Sequence, residues 1–197
     1  PADVPTVAAI DQLSFPTPWL ASSYLYELNH NDQSSYLSLL KPTPDEPFHP
    51  KRRWLDRLRG VLYPAKESRV IGYVGFRFVS AEAHISTIAV HPDWRNQGLG
   101  ELLLMTAMVH ALELGAEKVS LEVRPSNHVA QRLYRKYGFR FTGVHRGYYR
   151  DGEDAWLMEV ETTRDAYRAW LAENRREIEA RLHFRWAGVG QNDGDTL

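Results

Sequence analysis

The run Arg95-Asn96-Gln97-Gly98-Leu99-Gly100 is the first place in this 197-residue chain where residue types and spacing suggest chemistry. It lies between an alternating apolar stretch that ends near Val90 and a helical pattern that starts near Leu99. Consecutive backbone N–H groups at a helix start make an anion site, and the helix dipole adds to it. Glycines at 98 and 100 remove the Cβ atoms that would keep a diphosphate at a distance, and Arg95 can close over the phosphates. Two glycines before a helix also describe an ordinary turn. The run is neither a G-x-G-x-x-G dinucleotide fingerprint nor a P-loop, since no Gly-Lys-Ser/Thr follows.

Glu122 is the second candidate. In the strand pattern Lys118 to Arg124, Val119, Leu121 and Val123 point one way, which puts Ser120, Glu122 and Arg124 on the opposite face. A carboxylate within a largely buried strand is costly unless it is paired or used. It is therefore either a working acid–base group or half of an ion pair with Arg124 or another base. Tyr134 shares a helical stripe with Ala130, Leu133 and Tyr137, and that spacing alone favours core packing. Tyr148 and Tyr149 precede a turn, where paired aromatics also serve as simple edge packing. The eight histidines form no H-x-x-x-H or carboxylate cluster, so no metal is assigned. His91, His128 and His145 read as surface or capping residues.

These residues need a scaffold, and the periodicity supplies one. Residues 4–14 read as a short helix with Asp3 as a candidate N-cap and Pro5 tolerated in its first turn. Phe15-Pro16-Thr17-Pro18-Trp19 must break it, and a second helix is expected from Leu20 to Asn29. Strands are expected at Ser35 to Leu40, Arg69 to Val79 and Ala83 to Val90, with Val70, Val74, Phe76 and Phe78 of the second on one face. Between the first two lies Lys41 to Ser68, read as an insertion in a hairpin, with an amphipathic helix at Lys51 to Leu62. Its excess of Lys and Arg over Asp and Glu reads as a solvated face.

Leu99 to Leu114 is a helix ended by Gly115, with Leu102, Met105, Thr106 and Val109 as its stripe. Lys118 to Arg124 is a strand, Val129 to Tyr137 a helix closed by Gly138, and Phe139 to Val144 a strand. Asp151-Gly152 marks a turn before a last strand, Ala155 to Val160. A charged helix is expected from Thr162 to about Trp186, with Tyr167, Leu171, Ile178 and Leu182 on one stripe. Gly188 to Leu197 is polar and expected to fray. Helices, then strands, then alternating strands and helices imply an α/β or α+β mixed sheet.

Composition narrows the function classes. Lys plus Arg total 24 and Asp plus Glu 25, a net charge of -1, so nucleic acid is not the expected partner. No apolar run approaches the roughly 18 to 20 residues needed to span a bilayer, and no secretory signal pattern opens the chain. With no cysteine there is no disulfide, thiolate metal site or cysteine nucleophile. The expectation is a soluble, cytoplasmic globular protein with no membrane partner.

The context of the loop is more specific than the loop itself. Val90-His91-Pro92-Asp93-Trp94 followed by Arg95 to Gly100 resembles the acetyl-coenzyme A motif of the GNAT superfamily of N-acetyltransferases, Q/R-x-x-G-x-G/A after V-x-P-x-x-R. Leu121 to Asn127, Ala130, Leu133-Tyr134 and Tyr137-Gly138-Phe139 resemble the second half of the same site. With Tyr148-Tyr149 and Phe15 to Trp19, the pattern is similar to RimI-type N-terminal acetyltransferases over about residues 2–160. The resemblance implies a mixed, mostly antiparallel sheet splayed at the acetyl-CoA site and flanked by helices.

It also implies roles. Residues 1–160 form the acetyltransferase domain, 161–187 a helical extension and 188–197 a flexible tail. The strand Ile85 to Val90 parts from Val119 to Arg124, and the pantetheine arm pairs with backbone around Ile88, Ala89 and Val90. Arg95, Asn96, Gln97, Gly98, Leu99, Gly100 and Glu101 surround the diphosphate, and Asn127, Ala130 and Tyr134 contact the arm. Asn127 also suits a helix N-cap, and both roles can hold at once. Glu122 acts as general base through water, and the Tyr134 hydroxyl protonates the departing thiolate. A phenol of reference pKa about 10 is protonated at neutral pH and can do so. Phe15, Trp19, Tyr148 and Tyr149 wall the acceptor groove.

The implied reaction is direct attack of a neutral amine on the thioester, with no covalent enzyme intermediate and no metal. A peptide α-amine of pKa near 8 is on the order of one-fifth neutral at physiological pH, a lysine amine near 10.4 about one part in a thousand. One glutamate with a bridging water suits the easier proton. This favours a protein N-terminus, in the RimI type the N-terminal alanine of small-subunit ribosomal protein eighteen. A small-molecule amine is the alternative acceptor, and a non-catalytic acyl-CoA-binding module the alternative class.

Departures from the pattern matter too. The family opens with a strand before the first helix, whereas this chain opens at Pro1-Ala2-Asp3. Either another segment covers that sheet edge or the sequence is incomplete. The 41–68 insertion and the C-terminal helix are extra, and could reshape the acceptor groove or form a homodimer contact.

Overall fold

The computed structural model describes residues 2–41 and 69–182. Helices α1 (Val4–Ser14) and α2 (Ala21–His30) precede strands β1 (Ser34–Leu40), β2 (Val70–Val79) and β3 (Glu82–Val90). A short 3₁₀ turn, Pro92–Trp94, leads to helix α3 (Leu99–Glu113), strand β4 (Lys118–Val123) and helix α4 (His128–Lys136). Strands β5 (Arg140–His145) and β6 (Ala155–Glu161) and helix α5 (Asp165–Leu182) complete the order. The strands form one sheet in the order β1-β2-β3-β4-β6-β5. Every neighbouring pair is antiparallel except β3 with β4. The mixed, mostly antiparallel sheet flanked by helices matches the expectation.

Two apolar clusters hold the layers together. The larger one sets α3 and α5 against Val74, Phe76, Ile85, Leu121 and Met158 of the sheet. The smaller packs Val4, Val7 and Ile10 of α1 and Tyr24 of α2 against Val70, Tyr73 and Ala89. Val70 was expected on the face of Val74 and Phe76. The β1–β2 register shifts between Leu39 and Leu40, opposite the start of β2, and Val70 faces α1 instead. Helix α3 is buried on nearly all sides, from Leu102 to Met108, because the sheet covers one flank and α5 another.

Some local expectations need correction. Asp3 makes no side-chain cap; its carbonyl accepts the Thr6 and Val7 N–H groups at 3.0 and 2.9 Å. The last helix starts at Asp165, not Thr162. Thr162 is buried at the sheet end, where its hydroxyl donates to the Ala116 carbonyl at 2.9 Å and its N–H to Glu117 at 2.8 Å. The ends of the insertion meet, since Lys41 N–H donates to the Arg69 carbonyl at 2.6 Å. The helix read at Lys51 to Leu62, the end of the C-terminal helix at Trp186 and the 188–197 tail lie outside the described residues. Among the described residues no helix is long and apolar enough to cross a membrane.

A buried carboxylate ties α1 to the loop that follows it. Asp11, 2% exposed, accepts the Trp19 N–H at 2.5 Å and the Tyr73 hydroxyl, which also meets the Tyr24 hydroxyl at 2.9 Å. Burial, aided by the Asp11 carboxylate, drives the Tyr73 phenol well above its ordinary value, so it stays a donor. Asp11→Asn turns one acceptor into a donor facing donors. Its expected cost is about 1–3 kcal/mol, read as a lower urea midpoint at unchanged slope.

Candidate active site

The β3–β4 pairing covers only Glu82↔Lys118 to Ile85↔Leu121. At this point the β2–β3 register slips, Gly75 facing Thr87 and Phe76 facing Ile85, which leaves Ser86 as an extra residue. A bulge bends and twists the strand that carries it. Beyond Ser86, β3 keeps its ladder to β2 but has left β4. The expected parting of the two strands is present, with Ile88, Ala89 and Val90 along its β3 side.

The loop before α3 suits an anion. Asn96 (φ +61°) and Gly98 (φ +81°) are both left-handed, a backbone that bends successive N–H groups toward one concavity. Gly98 sits at the helix N-cap. A Cβ there would be strained, and would stand 3.2 Å from an Nη atom of Arg181. Among the described residues the N–H groups of Asn96, Gln97, Gly98, Leu99, Gly100 and Glu101 have no acceptor. A row of free donors with a positive dipole end fits a diphosphate.

Two residues assigned to this anion site behave differently from expectation. Arg95 does not lie over the loop; its Nε donates to the Val90 carbonyl at 2.9 Å and its Nη2 to the Ser14 hydroxyl at 2.8 Å. Glu101 is held among donors: Lys136 Nζ, the Tyr137 hydroxyl at 2.6 Å and Arg181 Nη2 at 3.1 Å. Burial raises its pKa, but these hydrogen bonds outweigh burial and hold the carboxyl below its ordinary range.

Glu122 lies on the polar face of β4, as alternation required. Val119, Leu121 and Val123 are buried, and the Glu122 side chain is 15% exposed. Its partner is not Arg124 but His84, whose Nε2 is 2.8 Å from Oε2. His84 Nδ1 meets the Ser120 hydroxyl at 3.0 Å, and that hydroxyl donates to Glu82 at 2.5 Å. The parallel register, His84 beside Ser120, creates this row. His84 escaped the sequence reading; its polar position between Ala83 and Ile85 was the available signal. A cavity of about 200 Å³ opens over the row, lined by Glu82, Glu122 and Glu159. Lys118 pairs with Glu82 at 3.0 Å and with Glu159 at 3.7 Å, so Glu122 is the one of the three with no lysine or arginine partner among the described residues.

Tyr134 is 5% exposed and its ring lies 5.8 Å from that of Phe139, tilted by 52°, so the packing role of its stripe holds. Its hydroxyl has no hydrogen-bond partner among the described residues. Burial, then the neighbouring Tyr149, pushes its pKa well above the ordinary value. Asn127 caps α4, its Oδ1 accepting the Ala130 N–H at 3.1 Å. Ala130 packs against the larger core.

Tyr148 and Tyr149 come close to this centre. Burial, then the Glu122 charge, raises the Tyr148 phenol. Burial also raises Tyr149, to about 12, although the Arg124 guanidinium 3.7 Å from its ring centroid opposes the shift. Phe15 packs against the smaller core, and Trp19 against Tyr24 at 5.4 Å.

Arg124 organises the β5–β6 turn by pairing with Asp151 at 2.8 Å and Glu153 at 2.6 Å. Hydrogen bonds from Arg124 to Asp151, and from Ser126 and then Arg124 to Glu153, lower both carboxyl pKa values. Depressed values mean that the stabilisation is complete above the unfolded values of about 3.9 and 4.3. It is lost as pH falls through the lower folded values. Tyrosine resonances of the turn are therefore expected to stay constant down to about pH 4 and shift below it, and Arg124→Gln to move that transition up. Among the described residues no three His, Cys, Asp or Glu groups converge as a metal site.

Known proteins resemble this arrangement. The model of the acetyltransferase (GNAT) family matches residues 11–139. A Bacillus subtilis (strain 168) relative with the provisional name [ribosomal protein bS18]-alanine N-acetyltransferase is 35% identical over 159 residues, 80% of this chain and 89% of the relative. The crystal structure of the Escherichia coli ribosomal-protein-S18-alanine N-acetyltransferase superposes with TM-score 0.61 at 26% identity, covering 81% and 88% of the two chains. Arabidopsis thaliana NAA60, crystallised with acetyl-CoA, shares the fold at TM-score 0.64 and 19% identity, covering 83% of this chain and 96% of its own. The chain belongs to the GNAT family and is an N-acetyltransferase.

Proposed function

We propose that this enzyme transfers acetyl from acetyl-coenzyme A to the N-terminal α-amine of a protein, as the names of its relatives describe for a ribosomal protein alanine. The observation that carries the reading is the parting of β3 from β4 beside the Glu122–His84 pair. When bound, the coenzyme supplies an electrophilic thioester carbonyl. The N–H groups from Asn96 to Glu101 would hold its diphosphate, and β3 backbone from Ile88 to Val90 its pantetheine amides. Glu122 takes the proton from the arriving ammonium, directly or through a water, while His84 fixes the carboxylate's orientation. Tyr134 keeps its proton because burial disfavours the phenolate, and would offer it to the departing thiolate. Tyr148, Tyr149, Phe15 and Trp19 border the acceptor.

The test is acetyl-CoA turnover on an Ala-starting peptide, on the same peptide with a blocked N-terminus, and on free lysine and polyamines. Mass spectrometry is expected to find acetyl on the α-nitrogen alone, with kcat/KM rising with pH up to about 8. Turnover of free amines with none on any peptide overturns the assignment.

A further inference from the structure

Helix α5 lies outside the 11–139 match to the family, yet its last turn ends on the loop that opens α3. Arg181 Nη2 donates to Glu101 Oε2 at 3.1 Å and lies 3.2 Å from where a Cβ on Gly98 would stand, with Leu182 next at 3.7 Å. Glu101 thus gathers two cations, Lys136 and Arg181, at the first turn of α3. The Arg181 side chain is 57% exposed, and one of its five N–H donors is spent on Glu101. An exposed ion pair of this kind adds little to stability by itself. Meanwhile Arg95, the arginine within the loop, is committed to Val90 and Ser14.

We propose that Arg181 is the coenzyme's diphosphate-binding arginine, delivered by α5 from outside the family core, with Glu101 as its tether. Its remaining donors supply the charge that the loop's neutral N–H groups lack, in the forked geometry that suits phosphate oxygens. The inference rests on the loop being the coenzyme site. It makes α5 part of that site, so bound coenzyme protects α5 as well as α3.

Calorimetry on the full chain tests it, with coenzyme A and dephospho-coenzyme A titrated into wild type, Arg181→Ala and Arg181→Lys. Arg181→Ala is expected to lose about tenfold in affinity for both ligands, and Arg181→Lys less. In parallel, kcat/KM should fall by a similar factor with acetyl-CoA but not with S-acetylpantetheine, which lacks the diphosphate. Equal affinity of wild type and Arg181→Ala overturns the inference. So does a loss seen with coenzyme A but not dephospho-coenzyme A, or an equal loss with S-acetylpantetheine. If wild type binds no coenzyme A, the functional reading itself fails, and the inference with it.

Discussion

Glu122→Gln is expected to lower kcat for peptide acetylation at pH 7 by about a hundredfold or more, with the KM for acetyl-CoA almost unchanged. An amide of the same shape can still meet His84 but cannot take a proton. General-base contributions of this kind span about 10²–10⁴ in rate. The pH dependence adds a sharper check. Above the α-amine pKa of about 8 the acceptor arrives already neutral, so the deficit should shrink as pH rises. A purely structural pair of Glu122 and His84 predicts the same deficit at every pH, or a loss of folded protein. Steady-state kinetics from pH 6.5 to 9.5, with circular dichroism on the same samples, separates these outcomes. Wild-type kcat at pH 7 in a folded Glu122→Gln protein removes Glu122 from the mechanism.

Tyr134→Phe is expected to reduce kcat by about a hundredfold and leave coenzyme A affinity within about twofold. The ring packs against Phe139 in the core, and Phe preserves that packing while deleting only the hydroxyl. Because the hydroxyl has no partner among the described residues, its loss leaves no donor or acceptor stranded, and thermal stability should hold. Stability and activity therefore separate at this position. A folded Tyr134→Phe enzyme with wild-type kcat would falsify the acid role.

Much of the scaffold was legible because period and punctuation agree. Alternation placed Glu122 on the polar face of β4, and Gly115 and Gly138 stand in left-handed conformation where the helices α3 and α4 end. What stayed hidden depends on pairs distant in sequence. His84 meets Glu122 only through the β3–β4 register, which no local pattern encodes. The Ser86 bulge arises from a slip between β2 and β3, and a similar slip turns Val70 to the other face. Arg124 read as a partner for its near neighbour, yet Asp151 and Glu153 reach it across a turn with better geometry. Asp11 looked like an ordinary helix residue until Trp19 and Tyr73 folded onto it. Arg181 is 80 residues from Glu101, beyond any spacing rule.

The short β3–β4 ladder has one more consequence. Four rungs join two half-sheets, and past Ser86 the inner rim of β3 is a row of peptide groups awaiting a complement. A tail that carries its own amides can complete the hydrogen bonds that β4 does not reach. On the proposed placement of the coenzyme, the register leaves the sheet one strand short and the substrate itself would serve as the missing slat.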